Sequence, residues 1–155
     1  MQITFINKGN RNRLICDKKD GGVEIADIGP GLPFHDIAHF IVERRLKLEH
    51  GFYGNIYNGY TVKQLSQKDV IKSLNIESGV AEITTTALQS LSSGACRVEQ
   101  FTELVYEEFD KFSIKYPLHL TEKMIYEMLS EYELLIKRWQ DVSEGERMQL
   151  FLEME

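Results

Sequence analysis

The sequence predicts an α+β fold: a small antiparallel sheet of about four strands packed by a layer of about five helices, in one domain over residues 1–155. Three observations predict it. Strand alternation broken by two hairpin signals fills the first thirty residues. Apolar residues at helical spacing fill the middle, and the last ten residues return to a period of two.

Taken in order, Ile3 and Phe5 alternate with Gln2 and Thr4, Lys8-Gly9-Asn10 signals a turn, and Leu14 and Cys16 sit two apart. Asp20-Gly21-Gly22 is a second hairpin signal, and Val23, Ile25 and the segment 26–28 carry a third strand. This is an antiparallel meander. Pro30 and Pro33 end it, and Pro33 suits the first turn of a helix over 33–48. On that helix Phe34, Ile37, Ala38, Ile41, Val42 and Leu46 form a broad apolar stripe. Phe40 falls off the stripe, so the helix is covered on more than one side. What remains is a narrow polar strip of Asp36, His39, Glu43 and Lys47, with His35 at its edge.

The segment 50–60 is rich in glycine and aromatics and reads as a loop. Thr61 with Gln64 makes a capping box for a short helix through 74. A further helix over 80–91 ends at Gly94. Val98, Phe101, Leu104, Val105, Phe109 and Phe112 give an amphipathic helix that Tyr116-Pro117 breaks. Thr121 caps the longest helix, which runs through Trp139. In the tail, Ser143 and Glu146 have capping-box spacing, but Met148, Leu150, Leu152 and Met154 alternate with Gln149, Phe151 and Glu153. The second pattern predicts a strand that returns to the N-terminal sheet after a turn at Glu144-Gly145.

Composition bounds the function. With 18 basic and 24 acidic residues the net charge is −6, which argues against a nucleic-acid partner. The basic residues Lys8, Arg11, Arg13, Lys18 and Lys19 read as a solvated hairpin rim. No apolar run reaches the roughly 20 residues of a membrane helix, and the first residues lack a signal-peptide pattern, so no membrane partner and a cytoplasmic location are expected. Cys16 and Cys96 are eighty positions apart and belong to no C-x-x-C pair, so they are expected to be small buried hydrophobes.

Chemistry concentrates on the first helix. His35, His39 and Glu43 recur every four residues, with Asp36 beside the first. His at i and i+4 is the spacing of helix-borne zinc sites, so His35, His39 and Glu43 are candidate ligands for a divalent metal such as zinc, and Asp36 and Glu43 are candidate catalytic carboxylates. At 1.5 Å rise per residue His35 and Glu43 stand about 12 Å apart along the axis, too far to share one ion. A real site needs His35–His39 or His39–Glu43 plus a ligand from another segment; His50 and His119 are the other histidines. The structural alternative has Asp36 holding His39 at i+3 and Glu43 pairing with Lys47 at i+4.

Gly54 to Gly59 has the G-x4-G outline of a phosphate loop, but Tyr60 stands where lysine is needed. The aromatics Phe52, Tyr53, Tyr57 and Tyr60 are then either a ligand-pocket wall or core. On the longest helix, Tyr126, Met128, Tyr132 and Trp139 form a dimerisation face or core.

The pattern G-P-G-L-P-F-H-D-I-A-H-F-I-V-E at residues 29–43, with Gly51-Phe52-Tyr53-Gly54 and a Trp139-centred helix before a final strand, resembles a family of small uncharacterised bacterial proteins. The resemblance implies a bacterial source and the α+β fold, and it brings no activity. The leading expectation is a binding protein, for a small molecule or a protein partner, with its site at the His/Asp/Glu strip. The alternatives are a metal-dependent hydrolase-like enzyme using His35, His39 and Glu43, and a purely structural strip with function in protein–protein contact.

Overall fold

A computed structural model describes residues 1–154, so Glu155, the last residue of the expected domain, lies outside the described residues. Strands β1 (Gln2–Asn7), β2 (Asn12–Asp17), β3 (Val23–Ile28) and β4 (Arg147–Phe151) form one antiparallel sheet in the order β3-β2-β1-β4. The two expected turns close the meander, with Gly9 at φ 77° and Gly21 at φ 84°. In the second, the Gly22 N–H donates to Asp20 Oδ1. β4 returns beside β1, with Met148 opposite Phe5 and Leu150 opposite Ile3. Its burial alternates strictly, as its period-two pattern requires.

That register puts Ile3, Phe5, Leu14, Cys16, Ile28, Met148 and Leu150 on one buried face. The other face is open to solvent, with Val23, Ile25 and Phe151 exposed and Arg13 paired to Asp27 at 2.9 Å. Arg13 is therefore committed to the sheet surface.

Seven helices make up the helical part among the described residues: α1 (Leu32–Leu46), α2 (Phe52–Tyr57), α3 (Val62–Leu65), α4 (Lys68–Ile71), α5 (Ile76–Ser92), α6 (Val98–Lys111) and α7 (Glu122–Gln140). α1 is the central one. It packs against α5 and α7, and every residue from Asp36 to Glu43 is buried. Trp139 of α7 meets Phe5 of the sheet at a ring-centroid distance of 5.9 Å. Arg44 and Arg45 at the end of α1 pair with Glu131 and Glu127 of α7.

The helical layer departs from expectation in three places. Residues 52–57, expected as loop, are helix α2. The single helix expected over 61–74 is two turns, α3 and α4. Thr61 and Gln64 do form the reciprocal capping box, but the Ser66 hydroxyl donates back to Lys63 O and closes the turn, and Gln67 is extended. α5 begins four residues before the expected 80, capped by Asn75, whose Oδ1 accepts from the Glu77 N–H. On α7, Met128, Tyr132 and Trp139 are core residues, and only Tyr126 of the expected dimerisation face is exposed.

Candidate functional site

α1 begins where the Pro30-Gly31-Leu32-Pro33 turn delivers the chain, with Pro33 in its first turn. Helical spacing then stacks His35 and His39 on one side, with ring centroids 4.8 Å apart and edge to face. α5 runs alongside and supplies the third member, Glu82. Its Oε1 lies 3.3 Å from His35 Nε2 and its Oε2 lies 3.1 Å from His39 Nε2. One carboxylate thus faces the Nε2 atoms of both rings.

The opposite nitrogens are held from behind. His35 Nδ1 donates to Gln89 Oε1 of α5 at 2.8 Å. His39 Nδ1 donates to Glu43 Oε1 at 3.1 Å. Glu43 is the most tightly bound of these groups, with its side chain wholly buried. Its carboxylate also accepts the N–H of Tyr53 at 3.0 Å and of Gly54 at 3.2 Å, amides in the first turn of α2. Gly51, at the N-cap of α2, has no side chain to do this. A Cβ at Gly51 would stand 2.2 Å from Glu43 Cδ, so the residue must be glycine for the carboxylate to reach the helix end. Gly54 is equally constrained, since its Cβ would meet Glu49 O at 2.2 Å.

Two expected pairings are therefore corrected. Asp36 does not hold the His39 ring, because Glu43 and Glu82 occupy both of its nitrogens. Glu43 does not pair with Lys47, because Lys47 is exposed at the left-handed C-cap of α1 while Glu43 points inward to α2. The polar strip faces neighbouring helices, whose backbone amides and side chains complete it.

The charges follow from these contacts. Burial disfavours the charged form of His39, but hydrogen bonds to Glu43 and Glu82 outweigh it and raise its pKa to about 9. The hydrogen bond to Glu82 raises that of His35. In return, the two histidines hold the Glu82 carboxyl well below the usual carboxylate range. Burial pushes Asp36 up to about 6, against the pull of His39 and His35. No hydrogen bond reaches the Asp36 carboxylate among the described residues, although only 5% of the residue is exposed. The Cys16 thiol, buried on the sheet, is likewise pushed up by burial and by Asp36.

His39 and Glu82 border a cleft of about 880 Å³, walled chiefly by Phe52, Leu65, Ile71, Ile76, Ile83 and Phe112. Of the four aromatics expected at a pocket, Phe52 is on this wall, 5.5 Å from the His39 ring. Tyr53 is fully buried, and its hydroxyl donates to Asp36 O. Tyr57 and Tyr60 are partly buried and lie off the cleft. Asp36 and Glu43 do not border it either. Of the other histidines, His50 meets Asn58 at 3.4 Å and His119 is exposed; neither joins the cluster.

Glu82 and Gln89 are the residues that sequence reasoning missed. They lie seven positions apart on α5, two turns along one side, which is the signal that could have matched them to a helix carrying His35 and His39. Such spacing is common on solvated helices, and nothing local says which neighbour it faces.

No protein-family model, curated protein or solved structure matches this chain. The site is accordingly read from its own geometry. It joins a rigid imidazole pair, one solvent-facing carboxylate and an apolar cleft.

Proposed function

We propose that the protein binds a small, largely apolar molecule in the cleft, with the ligand's polar end at His39 and Glu82. One observation carries this. A concavity of about 880 Å³ is lined mostly by apolar side chains, and His39 and Glu82 meet on its wall, which is the composition of small-molecule sites. Ile71, Ile76 and Phe112 stand on its wall while 52%, 45% and 67% exposed, an apolar rim that a ligand would cover. Lys72 is the cation on the same wall, suited to an anionic group. The two unpaired cysteines fit a reducing, cytoplasmic setting.

The hydrolase reading has less support, since its candidate bases Asp36 and Glu43 are turned away from the cleft. Glu43 is accounted for by capping α2 and fixing His39.

Anilinonaphthalene sulfonate, an apolar body with an anionic head, is the probe to use. Its fluorescence should rise on titration with the wild-type protein. Ile83→Asp on the wall and Phe112→Asp on the exposed rim should each weaken binding roughly tenfold, about 1.4 kcal/mol of lost apolar contact, with unchanged circular dichroism. No enhancement, or equal enhancement by all three proteins, would reject the cleft as the binding site.

A further inference from the structure

We propose that His35 Nε2, His39 Nε2 and the Glu82 carboxylate together bind one divalent first-row transition-metal ion. This stands independently of the binding reading, because the three side chains form the site without any cleft ligand. One donor atom from each lies within 4.8 Å of the others.

Glu43, as a carboxylate, only accepts, so the proton of neutral His39 sits on Nδ1. His35 Nδ1 meets Gln89 Oε1 at 2.8 Å, the contact of a ring that carries its proton on Nδ1. Both Nε2 atoms then present bare lone pairs, and each faces an oxygen of Glu82 that also has only lone pairs. Such a facing set needs a cation between its members. In the metal-free fold ring protons supply it, donated to the two Glu82 oxygens. One metal ion in their place would supply it while leaving both rings neutral.

Two of the distances agree. Two ligand atoms about 2.0–2.1 Å from one tetrahedral zinc ion stand about 3.3 Å apart. The nitrogen–oxygen separations here, each to a different Glu82 oxygen, are 3.3 and 3.1 Å, and the donor set spans up to 4.8 Å, so the side chains would close in on a bound ion. The backing hydrogen bonds agree as well, because a metal-bound histidine characteristically donates its other N–H to a carboxylate or carbonyl. Glu43 and Gln89 are those acceptors. The two histidines lie on α1 and Glu82 on α5, and these helices pack along each other, so the ligand geometry is set by the fold. His39 and Glu82 border the cleft, which leaves the remaining coordination positions turned toward it.

Two imidazoles out of three protein ligands disfavour magnesium and calcium, which take oxygen. Zinc and iron(II) are the ions whose protein sites use two histidines and one carboxylate.

The test uses tag-free, full-length protein stripped with chelator and titrated calorimetrically with zinc, with iron(II) without oxygen, and with magnesium. One zinc or one iron(II) per chain and no magnesium is the expected result. His35→Ala and Glu82→Gln should each weaken it at least tenfold, and Gln89→Ala about tenfold. Cobalt(II) loaded in place of the ion should give a visible ligand-field spectrum that Glu82→Gln alters. Glu82 has a side chain 58% exposed, so its variant keeps the test valid should His35→Ala fail to fold. Absence of binding by both zinc and iron(II), or wild-type affinity in folded Glu82→Gln, would overturn the proposal.

Discussion

Glu43 shows how one residue can be read correctly as important and wrongly as to why. Its spacing from His39 suggests a ligand, and its spacing from Lys47 suggests a surface ion pair. In the fold it is a buried carboxylate that accepts His39 Nδ1–H and two amides of α2. Removing one partner of such a buried set leaves the others unpaired, which costs far more than losing an exposed pair. Glu43→Ala should therefore lower the unfolding free energy by about 3–5 kcal/mol. Lys47→Ala should stay within about 0.5 kcal/mol of wild type. Urea denaturation of both variants checks this, and comparable effects of the two would contradict the assignment. The member of the site that spacing leaves invisible is Glu82. A single glutamate on a helix has many equivalent surroundings until a second helix is packed against it.

Among elements, the contrast is between α1 and the pair α3 and α4. α1 is legible because proline, a broad apolar stripe and Phe40 off the stripe all demand a helix covered on several sides, and it is buried from Asp36 to Glu43. α2 is not legible, because Gly51 and Gly54 read as turn residues and its N-terminal cap is a side chain eight positions upstream of Gly51. α3 and α4 contain no buried residue, yet Leu65, Ile71, Lys72 and Leu74 at and beside them line the cleft. Elements with so little buried apolar surface open at low free energy. Hydrogen–deuterium exchange should find the amides of residues 62–72 exchanging well before those of 36–43 and 80–91. Saturating anilinonaphthalene sulfonate should slow exchange in 62–72. Equal protection of all three segments in the free protein would show that this wall is as rigid as the core.

For the whole molecule, the buried charge on α1 links stability to pH. The groups facing His39 are Glu43, His35 and Asp36 on its own helix and Glu82 on α5. Its pKa rises from 6.5 to about 9 on folding, so the metal-free fold holds the proton more tightly than the unfolded chain does. That contribution is fully present below pH 6.5 and is lost as pH climbs through 9. Asp36, raised from 3.8 to about 6, has the same sign at lower pH, since its protonated form is favoured in the fold and that advantage is gone above about 6. Glu82, held low, acts oppositely and loses its contribution only on acidification below the ordinary 4.5. In chelator, the melting temperature should consequently fall between pH 6.5 and 9. A flat or rising profile over that interval would mean that His39 is neutral in the metal-free fold.

The amino-acid sequence by itself determined the α+β class, the meander, the returning fourth strand, the position of α1 and the histidine pair on one of its sides. Each of these is periodicity or turn chemistry, which acts between residues a few positions apart. Only the tertiary structure decided that the polar strip is buried, that Glu43 caps α2, that Tyr53 is core while Phe52 walls a cleft, and that Glu82 and Gln89 complete the histidine pair. Those are contacts across tens of positions. They depend on how α1, α2 and α5 pack, and the burial that drives the packing has no direction of its own until all the faces are assembled.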